Sequence, residues 1–85
     1  MSGIARPPAE ALALHRIEQP GRYRVWSVHT PPAMADALHR LGVGAGDPVE
    51  VLHTDLRGTV GLRSGSGLVV LGRNATYHIQ VRERA

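Results

Sequence analysis

The stretch Thr30-Pro31-Pro32-Ala33-Met34-Ala35-Asp36-Ala37-Leu38-His39-Arg40-Leu41-Gly42 decides how this chain is read, because it alone has a start, an apolar stripe and a stop. Thr30 stands where an N-cap belongs. Pro31 and Pro32 take the first helical positions, where a missing amide hydrogen costs nothing. Met34, Leu38 and Leu41 follow at i, i+4 and i+7, so they share one face. On the other side Asp36 and Arg40 are four apart and set to pair. Gly42 supplies the left-handed stop. The spacing predicts one short, well-bounded helix.

On both sides of that helix the period changes from 3.6 to two. Upstream, Tyr23 to His29 carries Tyr, Val, Trp and Val in alternation and reads as a first strand. Downstream come Val49 to His53, a strand around Val60 and Leu62, the apolar run Leu68 to Leu71, and Tyr77 to Arg82. The run at Leu68 reads as a buried strand. Asp55-Leu56-Arg57-Gly58, Ser64-Gly65-Ser66-Gly67 and Gly72-Arg73-Asn74-Ala75 read as turns, the second as a flexible hairpin tip. The expected fold is all-β: a small barrel of five short strands that closes its own edges, with one short helix inserted between strands one and two. Residues 1–13 are expected to be a loosely ordered tail and 14–85 the domain. Leu14 and Ile17 are three apart, which suggests two turns of helix over Ala9 to Ile17. The inward phase of each element predicts a core of Val25, Val28, Leu38, Leu41, Val49, Val51, Val60, Leu62, Leu71, Ile79 and Val81.

Composition narrows the function. The chain has 85 residues, with ten Arg, no Lys, seven carboxylates and five His, for a formal net charge of +3. Such a length builds one small core. Without Cys there is no disulfide, thiolate zinc site or thiol nucleophile; without Lys there is no P-loop lysine and no Schiff base. The longest aliphatic run, Leu68 to Leu71, falls far short of the roughly 20 residues of a membrane span. No apolar signal region lies in Met1 to Glu10. A soluble, cytoplasmic protein without membrane insertion is expected. The Arg residues are scattered, so nucleic acid is disfavoured as a partner.

The chemistry-bearing residues form no catalytic constellation. Ser27, Ser64 and Ser66 have no identifiable base, and the carboxylates are spread singly, so an enzyme is not expected. The His residues offer two local pairs, His53 with Asp55 and Asp36 with His39. Neither supplies the three or four ligands of a tight site. No cofactor is required on this reading. A divalent metal, Fe²⁺ or Zn²⁺, is expected to bind one molecule weakly and to bind tightly only by bridging two copies, which makes a homodimer a candidate. Alternation places Trp26 with Arg24 and Val28; both a core and an exposed position are open to it, and beside Arg24 an exposed Trp26 is a contact residue.

From Ala37 to Leu52 the residues Leu38-His39-Arg40-Leu41-Gly42-Val43-Gly44-Ala45-Gly46 and the Val-rich strand after them resemble the FeoA family. The closing segment, Leu71-Gly72-Arg73 followed by Ile79-Gln80-Val81, is similar too. The resemblance runs from about Pro20 to Arg82. It departs at Ala37, where the family has Arg, at Ala45, where it has Pro, and at Thr76, where it has a small residue. The resemblance implies an SH3-like barrel with a helical insertion. It also implies a role as accessory to FeoB, the membrane ferrous-iron transporter with a cytoplasmic GTPase domain. The expected contact residues are Met34, Leu38, Arg40 and Leu41 on the helix, with Arg24 and Trp26 on the first strand; Leu38 and Leu41 are also expected to serve the core. Two alternatives stand beside this: an Arg-rich barrel binding nucleic acid through Trp26, and a metal-sensing module like the C-terminal domain of metal-dependent repressors.

Overall fold

The computed structural model describes residues 11–84. In chain order the elements are β1 (Leu12–Ala13), a 3-10 turn (Leu14–Arg16), β2 (Gly21–Val28), α1 (Pro32–Arg40), β3 (Pro48–Thr54), β4 (Val60–Ser64), β5 (Gly67–Leu71), α2 (Arg73–Thr76) and β6 (Ile79–Glu83). Strands β2 to β6 are the five expected, and α1 lies between the first two of them. The tail expected over 1–13 therefore ends on sheet residues. Leu12 and Ala13 pair with Val81 and Gln80 of β6, whereas residues 1–10 lie outside the described ones. Of the helical turns expected over Ala9 to Ile17, the described part is a strand, Leu12–Ala13, and a 3-10 turn, Leu14–Arg16, instead. Leu14 and Ile17 are nonetheless both buried, because the tight turn turns both side chains inward.

All strand pairs are antiparallel, in the order β1-β6-β2-β3-β4-β5. Two bulges curl this sheet. The register of β2 against β6 shifts between Val25 and Ser27, and that of β3 against β4 between Val51 and His53. Each shift inserts one residue, Trp26 and Leu52, which sharpens the local bend. It also resets the phase, so that Val25 and Val28, three apart, face Val81 and Ile79 respectively. The end strands β1 and β5 do not pair with each other. The seam is closed by packing: α2 touches β5, β6 and the 3-10 turn. Leu14, Ala75 and Thr76 are buried there, and the Thr76 hydroxyl donates to the Gly58 carbonyl.

Nine of the eleven predicted core residues are buried. Val28 packs only partly against the core, and Leu41 is 40% exposed. The chain turns away at Leu41. Its helix ends there in a Schellman geometry: Gly42 (φ +81°) donates to the His39 carbonyl, and Val43 to that of Leu38, at 3.0 and 2.9 Å. That reversal swings Val43, fully buried, into the place the i+7 position was expected to fill. Thr30 is not the N-cap either. Pro31 holds that position with no side-chain cap, and the Thr30 hydroxyl is buried without a partner. Nor is β5 buried on both faces: Val69 and Leu71 point inward, while Leu68 and Val70 are more than two-thirds exposed.

Candidate functional site

The helix exit and the β4–β5 hairpin build one side of the molecule together. The hairpin tip, expected to be flexible, is tied to α1: the hydroxyls of Ser64 and Ser66 donate to the Leu41 and Arg40 carbonyls. These are carbonyls that a helix end leaves unpaired. Two of the three candidate serines are thus spent on structure, and the Ser27 hydroxyl is buried without a partner. Below α1, Asp47 Oδ2 accepts from the Gly44 amide at 2.8 Å, the Gly46 amide donates to the Val25 carbonyl of β2, and the Val25 amide donates to the Asp47 carbonyl.

The expected contact residues divide into two sets. On α1, Arg40 and Leu41 are exposed and Met34 is half-buried against the core. Leu38 is 3% exposed and belongs to the core, so it is no contact residue. Arg40 does not pair with Asp36; among the described residues the ion pair is Arg63 with Glu50, at 3.5 Å. On the sheet, Arg24 is exposed and Trp26, the bulged residue of β2, is 52% exposed. A strand partner missed in the sequence reading lies on it: the Arg82 guanidinium stacks over the Trp26 ring at 3.6 Å. Arg24, Trp26, Arg82, Glu83 and Arg84 line a groove of about 440 Å³. The signal was available in the alternation of Arg22 with Arg24 and of Arg82 with Arg84, but only strand pairing brings those rows together.

The metal candidates are not gathered. Asp36, His39, His53 and Asp55 are all exposed, and among the described residues no three His, Asp or Glu side chains converge. A resident metal held within one copy does not fit this donor set. Asp55 has a backbone role: its Oδ1 accepts from the Arg57 and Thr59 amides at 2.8 and 3.0 Å, an Asx turn that closes β3 onto β4. The Thr59 amide foremost, then that of Arg57 and the charges of Arg57 and His53, hold its carboxyl below the usual value despite some desolvation. Tyr23 moves the other way. Burial first, and the Glu83 charge second, push its phenol up, and its hydroxyl donates to the Gln19 carbonyl.

This geometry has counterparts among known proteins. The solution structure of FeoA from Chlorobium tepidum matches with a TM-score of 0.73 at 26% identity, over 87% of this chain and 71% of that one. A manganese-dependent transcriptional repressor matches with a TM-score of 0.77 at 20% identity, over 98% of this chain and 47% of its own. The manganese-activated repressor ScaR matches at 0.75 and 22% identity, over 86% of this chain and 35% of its own. At those identities the repressors speak for the fold alone, and this chain spans less than half of either. A comparison with curated proteins found no match. No helix among the described residues is long and apolar enough to cross a membrane. The FeoA domain family matches residues 12–83, starting at β1 and ending with β6, and the chain belongs to that family.

Proposed function

We propose that the protein is a non-enzymatic, cytoplasmic accessory of ferrous-iron uptake that docks on the FeoB transporter and modulates it. The observation that supports this is the family match across the whole folded unit, together with the exposure of Arg40 and Leu41 at the helix end. Arg40 and Leu41 at the end of α1 are suited to docking: an apolar side chain held at the surface beside a charge, on a helix end fastened by Ser64 and Ser66. The test is a pull-down with the transporter's cytoplasmic GTPase domain, comparing wild type with Leu41→Glu and Arg40→Glu. Both variants stay folded by circular dichroism and lose binding; undiminished binding by both sinks the assignment to α1.

The likeness to metal-dependent repressors supports a second reading, a metal-responsive module. With candidate ligands only in pairs, Fe²⁺ or Zn²⁺ binds tightly by bridging two copies. Sedimentation with and without Zn²⁺ checks this: a metal-dependent dimer lost on His53→Ala supports it, and a tight site in a persistent monomer overturns it.

A further inference from the structure

The outward rows of β2 and of β6 with the residue after it carry four Arg, Arg22, Arg24, Arg82 and Arg84, none of which forms an ion pair among the described residues. Arg24 stands directly opposite Arg82, and the Arg84 amide donates to the Arg22 carbonyl at 2.9 Å, which sets those two residues side by side. Like charges directly opposed across strands are destabilising. The carboxylate opposite Arg22 is Glu50, and it is engaged by Arg63. Glu83 reaches the groove only from the inward phase of β6, beside Tyr23.

Two of these guanidinium groups are held in place before any ligand arrives. Arg24 Nη1 donates to the Gly46 carbonyl at 2.7 Å. The Arg82 guanidinium carbon lies 3.6 Å over the Trp26 ring centroid, and its Nε is buried without a partner. A guanidinium held in this way keeps its Nη fork, the geometry that takes a carboxylate through two parallel hydrogen bonds. Alternate positions on a strand repeat at roughly 6.6–6.8 Å, and so do carboxylates on alternate residues of an extended peptide. We propose that the groove between β2 and β6 binds an extended acidic segment of a protein partner, with Asp or Glu at alternate positions facing the two Arg rows.

Other polyanions fit less well. Single-stranded nucleic acid needs free aromatic faces for its bases. Here Arg82 covers a face of Trp26, while the exposed Tyr77 is stacked on His15 at 3.7 Å. A bilayer is flat, whereas this surface is a groove. The proposal goes beyond the docking role above, which is assigned to the end of α1, and its measurement needs no transporter, so the two fail separately.

Trp26 is the sole Trp, so its fluorescence reports the site. The wild-type chain is titrated at low salt with a blocked peptide bearing Glu at alternate positions, a permuted peptide with the same Glu contiguous, an oligothymidylate, and phosphatidylserine vesicles. The alternating peptide is expected to bind most tightly. The pair Arg24→Glu/Arg82→Glu is expected to weaken it about tenfold or more, whereas Arg57→Glu, a charge reversal in the β3–β4 turn, leaves it unaltered. Arg84→Glu places a carboxylate beside Arg22, so this variant is expected to melt higher while binding the peptide less, which a purely structural arginine does not do. No binding of the alternating peptide, equal loss with Arg57→Glu, or tighter binding of the oligonucleotide or vesicles each overturns the proposal.

Discussion

Leu38 and Leu41 lie less than one helical turn apart and share a stripe, yet they do different work. Leu38 is almost fully buried and packs with Val43, while Leu41 stands at the point where the backbone reverses. Leu38→Ala is expected to destabilise by roughly 2–5 kcal/mol, as cavities in small cores do. Leu41→Ala should cost less than about 1 kcal/mol, because an exposed side chain leaves no cavity. Urea denaturation of the two variants checks the contrast. Gly42 is the residue that makes the difference. Its φ of +81° is left-handed, and an added Cβ meets the Ser64 hydroxyl and the Gly65 amide nitrogen at 3.0 and 3.2 Å. Gly42→Ala is expected to cost roughly 1–2 kcal/mol from backbone conformation alone, and more if the hairpin cannot shift. A thermal melt within error of wild type would count against both reasons.

At the scale of elements, the short helix α1 is stabilised from outside. A nine-residue helix is marginal by propensity, and this one has no side-chain N-cap. Its C-terminal carbonyls are met by the β4–β5 hairpin, so helix and hairpin are expected to open together. Replacing Ser64 and Ser66 by Ala removes the two hydrogen bonds that tie the hairpin to α1, worth roughly 0.5–1.5 kcal/mol each. Amide exchange should then speed up in α1 and at the hairpin tip while the β2–β6 amides keep their protection. Unchanged exchange in α1 would show that Leu38 and Val43 alone hold the helix. The bulges work at the same scale: Trp26 and Leu52 are the inserted residues, and both are pushed outward. Bending the sheet and presenting Trp26 beside Arg82 are one event.

At the scale of the whole molecule, acid stability is tied to the turn that joins β3 to β4. The Asp55 carboxyl titrates below its ordinary value because the folded turn donates two amides to it. A carboxyl depressed on folding contributes stability above the unfolded value, and that contribution is lost as the pH falls through the folded one. Asp55→Asn keeps an acceptor oxygen without the titration, so its melting temperature should fall less than that of wild type between about pH 5 and 2; parallel curves would remove Asp55 from the acid limb. The order of elements, the inward phase of most strands and the stop at Gly42 were legible along the chain, since these rest on local periodicity and backbone freedom. The resemblance to the FeoA family was legible for the same reason, as spacing along the chain. Tertiary structure alone decided the rest. Whether Leu41 or Val43 enters the core depends on a Schellman turn that packs against a hairpin more than twenty residues later. Whether Trp26 is core or surface depends on a bulge defined only against β6. The Arg rows become one basic groove only because antiparallel pairing sets Arg24 opposite Arg82, and no local pattern holds the register of two strands so distant in sequence.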